Sequence, residues 1–130
     1  TGSGCPRCSE SKGEKKITEI LNYLKLNFKK QATFKDCKDI NKLKFDFQIF
    51  NNEKHFLIEY QGEQHYEPVK RSKEMTQEIM DEKFKTVQRR DKIKLEWCKK
   101  NNIPLLVIPY WEKEKSEILI LNFIQANFNK

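Results

Sequence analysis

The spacing of hydrophobic positions changes several times along the chain, and each change marks an element. Residues 11–26 place Ile17, Ile20, Leu21 and Leu24 at helical intervals after the polar opening SKGE, which predicts an amphipathic helix. Glu14 lies three and seven residues before Ile17 and Leu21, so it falls on the apolar stripe and not on the solvated back. QATF at 31–34 predicts a short strand. LKFDFQIF at 43–50 alternates strictly, with Leu43, Phe45, Phe47 and Ile49 on one face and Lys44, Asp46 and Gln48 on the other. After the turn NNEK, the run HFLIEYQ sets Phe56, Ile58 and Tyr60 on one face and Leu57, Glu59 and Gln61 on the opposite one. These two runs predict a β-hairpin.

Residues 67–82 are polar and lack a clean period, which leaves a loop or an exposed helix. From 83 to 101 a second amphipathic helix carries Phe84, Val87, Leu95 and Cys98 on its stripe, and NNIP ends it. Asp91 falls on that stripe, four residues from both Val87 and Leu95. LLVIPY at 105–110 predicts a buried strand, and 113–128 a closing helix on Ile118, Leu121, Ile124 and Phe128. The expected class is α/β (α+β): a mixed central sheet flanked by helices in the order α-β-β-β-α-β-α. There is no internal repeat.

The hairpin has a chemical consequence. Closing it on residues 51–54 pairs Phe50 with His55, and counting back along both strands sets Asp46 opposite Glu59. Opposed residues have Cβ atoms about 4.5–5.5 Å apart, and like charges there are destabilising. A divalent cation between them resolves the conflict, since Mg²⁺ takes carboxylate oxygens and keeps waters for chemistry. Gln61 is next on that face, Glu14 approaches from the helix over the sheet, and His65 follows after the bend at Gly62. An imidazole, which changes charge near neutral pH, suits a general acid or base there. Each residue also has a plainer reading. Asp46 and Glu59 would lie on a solvated face neutralised by Lys44, and His65 would be a structural or exposed turn residue. Asp91 would cap the helix or pair with Arg90 or Lys94, and Glu14 would be a first-turn acid favoured by the helix dipole.

Composition narrows the partners. A chain of 130 residues with nine Phe and two Trp can bury a real core as a single folded domain. A net charge of +7 favours a polyanion, nucleic acid first, although a lysine- and asparagine-rich proteome would produce the same excess. No run approaches a membrane span and the opening TGSG is not a secretory signal, so a soluble, intracellular protein with no membrane partner is expected. Cys5 and Cys8 form C-x-x-C, half of a tetrahedral zinc site, with Pro6 stiffening the turn. The simplest account places the other ligands upstream of residue 1. Cys37 and Cys98 read as ordinary buried thiols.

A carboxylate on a leading helix (Glu14), an Asp on one strand (Asp46) and Glu59-Tyr60-Gln61 on the next together resemble the PD-(D/E)xK nuclease superfamily. Gln61 departs from it, standing where lysine is commonest. A closer resemblance is to the branch of very-short-patch-repair endonucleases and phage homing endonucleases with an E-D-x-H-D pattern. KGE supplies Glu14, LKFDF Asp46, EYQGEQHY His65 and RRDKIK Asp91, in matching order. GSGCPRC is similar to the zinc knuckle that precedes this domain in many phage and giant-virus relatives. Residues 1–10 then form a partial knuckle or linker, and 11–130 a nuclease-like domain with a restriction-endonuclease-like core.

The resemblance implies metal-assisted phosphodiester hydrolysis on DNA. Asp46 and Glu59, helped by Glu14, would hold Mg²⁺ or Mn²⁺. His65 would be the general base or acid, Asp91 would orient it or a metal ligand, and Gln61 would do part of the lysine's work. Arg90 and Lys94 would contact phosphate, and Lys12, Lys70, Arg71 and Lys73 would contact the DNA backbone. Zn²⁺ would sit at Cys5 and Cys8. Two alternatives stay open: a non-catalytic zinc-knuckle module that binds nucleic acid, and a structure-specific or RNA nuclease using the same site. The oligomeric state is open, with a homodimer among the options.

Overall fold

The computed structural model describes residues 12–51, 53–68 and 75–128. Helix α1 (Lys12–Tyr23) is followed by strands β1 (Asn27–Lys38), β2 (Lys42–Asn51) and β3 (Lys54–Gln61), helix α2 (Gln77–Lys100), strand β4 (Leu105–Pro109) and helix α3 (Ser116–Phe128). Short 3-10 turns stand at Glu63–His65 and Tyr110–Lys115. The four strands form one mixed sheet in the order β1-β2-β3-β4, with β1, β2 and β3 antiparallel and β4 parallel to β3. A parallel neighbour requires a long crossover, and α2 provides it.

The helices sandwich this sheet. Ile17, Ile20 and Leu21 of α1 and Ile120 of α3 pack with Phe47, Ile49, Ile58 and Ile108. A second core joins Cys37, Leu43, Phe45 and Leu57 to Cys98 of α2, with Trp97 and Phe34 against it. Strand β3 is therefore buried on both faces: Phe56, Leu57, Ile58 and Glu59 are consecutive buried residues. Such a run is what a parallel pairing with helices on either side demands.

The hairpin register is the expected one, Phe50 facing His55 and Phe47 facing Ile58. The single apolar face expected for β2 is not. Leu43 and Phe45 belong to the α2 core and Phe47 and Ile49 to the α1/α3 core, so the strand changes face at Asp46. Strand β1 runs well beyond 31–34 because most of its residues are solvent-facing, including Lys29, Lys30, Lys35 and Lys38, as suits an edge strand.

Helix α1 stops at Lys25, whose φ of +57° is left-handed, and Leu26 N–H returns to Leu21 C=O at 3.1 Å. Helix α2 begins earlier than residue 83, because the Thr76 side chain accepts from Ile79 N–H and caps it. Its inward stripe takes Lys94 and leaves Leu95 exposed, the reverse of the expectation. In α3 Ile118 and Leu121 face solvent, while Ile120 is buried and Phe123 meets Phe56 edge-on. ILILNFI is apolar almost all round, so its period does not name the inward face. Among the described residues no helix is long and apolar enough to cross a membrane.

Candidate functional site

The site forms where β2 and β3 stop pairing. Beyond Phe47↔Ile58 the two strands are joined by side chains: Asp46 N–H donates to Glu59 Oε1 at 3.0 Å, and Tyr60 N–H donates to Asp46 Oδ2 at 2.8 Å. The two carboxylates thus take the place of ladder carbonyls at the point where β2 changes face. This geometry removes the solvated-face reading, since Glu59 is only 3% exposed.

Helix α2 supplies the counter-charge. Lys94 Nζ donates to Glu59 Oε2 at 3.0 Å and lies 5.3 Å above the centre of the Phe45 ring. Lys94 was expected to contact phosphate; it is turned inward instead, with its side chain 14% exposed. One lysine does not balance the acids. Burial pushes the Asp46 carboxyl up to about 8, with Glu59 and then Glu14 adding repulsion that Tyr60 N–H and Lys94 only partly offset. Burial raises Glu59 as well, opposed chiefly by Lys94 and by Asp46 N–H, with Asp91 adding to the rise. The pair is short of positive charge.

One turn away along α2, Asp91 Oδ2 meets His65 Nδ1 at 2.7 Å. The 3-10 turn at Glu63–His65 brings the histidine back to the helix. Gly62 is not what permits this, because its φ of −74° and ψ of −177° are extended backbone open to any residue. The Asp91 contact fixes the ring's orientation and, with Nδ1 carrying the proton, leaves Nε2 as an acceptor. Glu59, Gln61, His65, Asp91 and Lys94 line one cleft of about 390 Å³, together with Tyr66. Gln61 accepts from the Tyr66 hydroxyl at 2.7 Å, so its amide oxygen is already engaged within the site.

Glu14 stands in the first turn of α1, close enough for its charge to raise Asp46. The preceding Gly13 brings the helix this near: a Cβ there would run into the Tyr60 ring. Lys12 is exposed at the helix start. Arg90 sits half-exposed with Nε 3.5 Å from Asp39 Oδ2, a carboxylate that Arg89 also holds at 2.8 Å, and these guanidinium bonds lower the Asp39 carboxyl. Cys5, Cys8, Lys70, Arg71 and Lys73 lie outside the described residues. Cys37 and Cys98 are free and buried, and burial drives the Cys98 thiol up to about 12.

The structure therefore brings Asp46, Glu59, Gln61, His65 and Asp91 together, with Glu14 at the margin. Among the described residues no group of three or more His, Cys, Asp or Glu stands ready as a metal cage. Both Glu59 oxygens and Asp46 Oδ2 are instead turned to N–H and ammonium donors. Sequence reasoning missed the inward placement of Lys94, and the signal was its spacing: residues 87, 91, 94 and 98 make a better stripe than one passing through 95. No protein-family model, curated protein or solved structure matches the chain.

Proposed function

We propose that the chain is a metal-dependent DNA endonuclease of the PD-(D/E)xK kind, with a restriction-endonuclease-like core that hydrolyses phosphodiester bonds. The observation that carries this reading is the Asp46–Glu59 pair at the parting of two strands, with the buried Glu59 lining one cleft together with the His65–Asp91 pair and Lys94. Holding a buried and a half-buried acid side by side against one lysine costs stability, and a plain structural role gives no return for that cost.

Asp46, Glu59 and Glu14 offer hard oxygen donors suited to Mg²⁺ or Mn²⁺, and the raised Asp46 and Glu59 carboxyls mark a place that positive charge would stabilise. A divalent ion there supplies Lewis-acid stabilisation of a phosphoryl oxygen and makes a nearby water more acidic. The chain's own residues do the rest. His65, held by Asp91, presents Nε2 to take a proton from the attacking water or give one to the leaving oxygen. Lys94 brings a fixed positive charge to the same cleft, where it can offset charge that develops on phosphate. That is the part the pattern assigns to a lysine at the position of Gln61.

The test is incubation of the protein with supercoiled plasmid in Mg²⁺, Mn²⁺ or EDTA, repeated with Asp46→Ala. Nicking that needs the metal and disappears in the variant is the expected result. Binding to DNA without cleavage in any metal would overturn the enzyme reading in favour of a binding module.

A further inference from the structure

Beside the cleft stands a group of aromatic side chains that the hydrolytic site does not use. Tyr66, directly after His65, meets Trp111 edge-on with ring centres 4.6 Å apart, and Tyr110 lies 6.0 Å from Tyr66 and 5.3 Å from Trp111. All three are exposed, Trp111 at 61%. Large rings in a core hide from water; these three pack on one another and still face it. They are fixed to the site from both sides. The Tyr66 hydroxyl bonds Gln61, and Gln61 pairs with Pro109, the residue before Tyr110, across the β3–β4 ladder.

A second cleft lined by His65 has a different character. Lys42, Lys44 and Arg90 line this cleft of about 360 Å³, which also includes Asp91 and Lys94. A cationic wall and an aromatic wall thus flank one histidine. On the aromatic side the ring faces of Tyr66, Tyr110 and Trp111 are flat surfaces on which uncharged bases can stack. Duplex DNA hides those faces in its stack. A strand with unpaired nucleotides exposes them, and proteins that hold such strands combine a positive groove for the backbone with aromatic platforms for the bases.

We infer that Tyr66, Tyr110 and Trp111 form a stacking platform that selects DNA with unpaired nucleotides next to the scissile phosphate, while Lys42, Lys44 and Arg90 carry the backbone. The inference rests on the endonuclease reading for the scissile phosphate, but the platform is tested without cleavage.

The experiment is fluorescence anisotropy in EDTA with a labelled single-stranded oligonucleotide and the duplex of the same sequence. The single strand is expected to bind tighter. Trp111→Ala should weaken its binding about tenfold, the scale of one lost stacking contact, and leave duplex binding within about twofold. Trp111→Phe should restore most of the loss. Tyr23→Ala removes a still more exposed ring, on α1, that is not one of the three, and should change neither affinity. Circular dichroism of each variant shows that it is folded. Equal or tighter duplex binding, or a Trp111→Ala loss shared equally by both forms, overturns the platform. A preference for single strands without metal-dependent cleavage overturns the endonuclease reading and leaves the platform standing.

Discussion

Toward its turn the β2–β3 hairpin pairs residue by residue from Phe47↔Ile58 to Asn51↔Lys54, and its inward side chains are apolar. At its open end the same two strands are joined through Asp46 and Glu59, whose carboxylates accept backbone N–H groups across the gap. The turn half follows the ordinary rule that burial is apolar and the backbone satisfies itself. The open half breaks it, placing two acids where carbonyls belong and leaving one lysine to face them. Stability and chemistry are thus separated along a single hairpin, within two or three residues of one another.

The largest expected effect comes from the regular half. Phe47→Ala removes a fully buried ring between β2 and α1 and should cost about 3–5 kcal/mol in urea unfolding. Its neighbour should behave in the opposite sense. Asp46→Asn keeps an oxygen for Tyr60 N–H and discards a charge, so it should unfold no more easily than the parent at pH 8. Its metal-dependent nicking should nonetheless fall by about 100-fold or more. A destabilised Asp46→Asn would show that the open end is ordinary scaffold and erase the contrast.

Lys94→Met comes next. The aliphatic stem over Phe45 is kept while Glu59 loses its ammonium partner, and breaking a buried pair from one side costs about 3 kcal/mol. Glu59 relieves part of that cost by taking up a proton, so the loss should shrink on acidification. A double variant, Glu59→Gln with Lys94→Met, should recover most of the stability and none of the nicking.

How much of this contrast was legible beforehand depends on range. The turn half rests on local signals, period-two alternation and a polar turn, and these put Phe50 opposite His55 and hence Asp46 opposite Glu59. The change of face at Asp46 is not local: an alternating string such as LKFDFQIF cannot say that its first two apolar residues meet α2 and its last two meet α1. The sequence makes Lys94 a phosphate contact because lysines mostly lie at the surface, and its spacing from Val87, Asp91 and Cys98 argues otherwise. The near contact of Gly13 with Tyr60 joins residues 47 apart, a distance at which sequence pattern is silent.

The acids should also mark the pH profile. Burial holds the Asp46 carboxyl at about 8 in the folded chain, against the ordinary 3.8 when unfolded, so between those limits only the folded state holds the proton. Stability from this group is full below pH 4 and is lost as pH rises to about 8, a total on the order of a few kcal/mol. Glu59, also raised, acts in the same direction. Urea midpoints should therefore fall from pH 5 to pH 8, and Mg²⁺ should restore them at the alkaline end. Asp46→Asn should flatten the slope. A slope unchanged in that variant would move the titration to another group.

The smallest effect is expected at Gln61, and it decides between two ways of supplying positive charge. Its carboxamide accepts from an exposed phenol at the mouth of the cleft, and such a bond contributes about 1 kcal/mol or less. A neutral amide cannot offset charge on phosphate as an ammonium does, and Lys94 already brings one to Glu59 from the facing helix. Gln61→Ala should therefore slow nicking by less than about threefold, far short of Lys94→Met. Because Tyr66 loses its partner in this variant, its single-strand affinity should fall more than its duplex affinity. If Gln61→Ala instead abolishes nicking while Lys94→Met retains it, the catalytic work belongs to the strand and the lysine on α2 is a structural counter-ion.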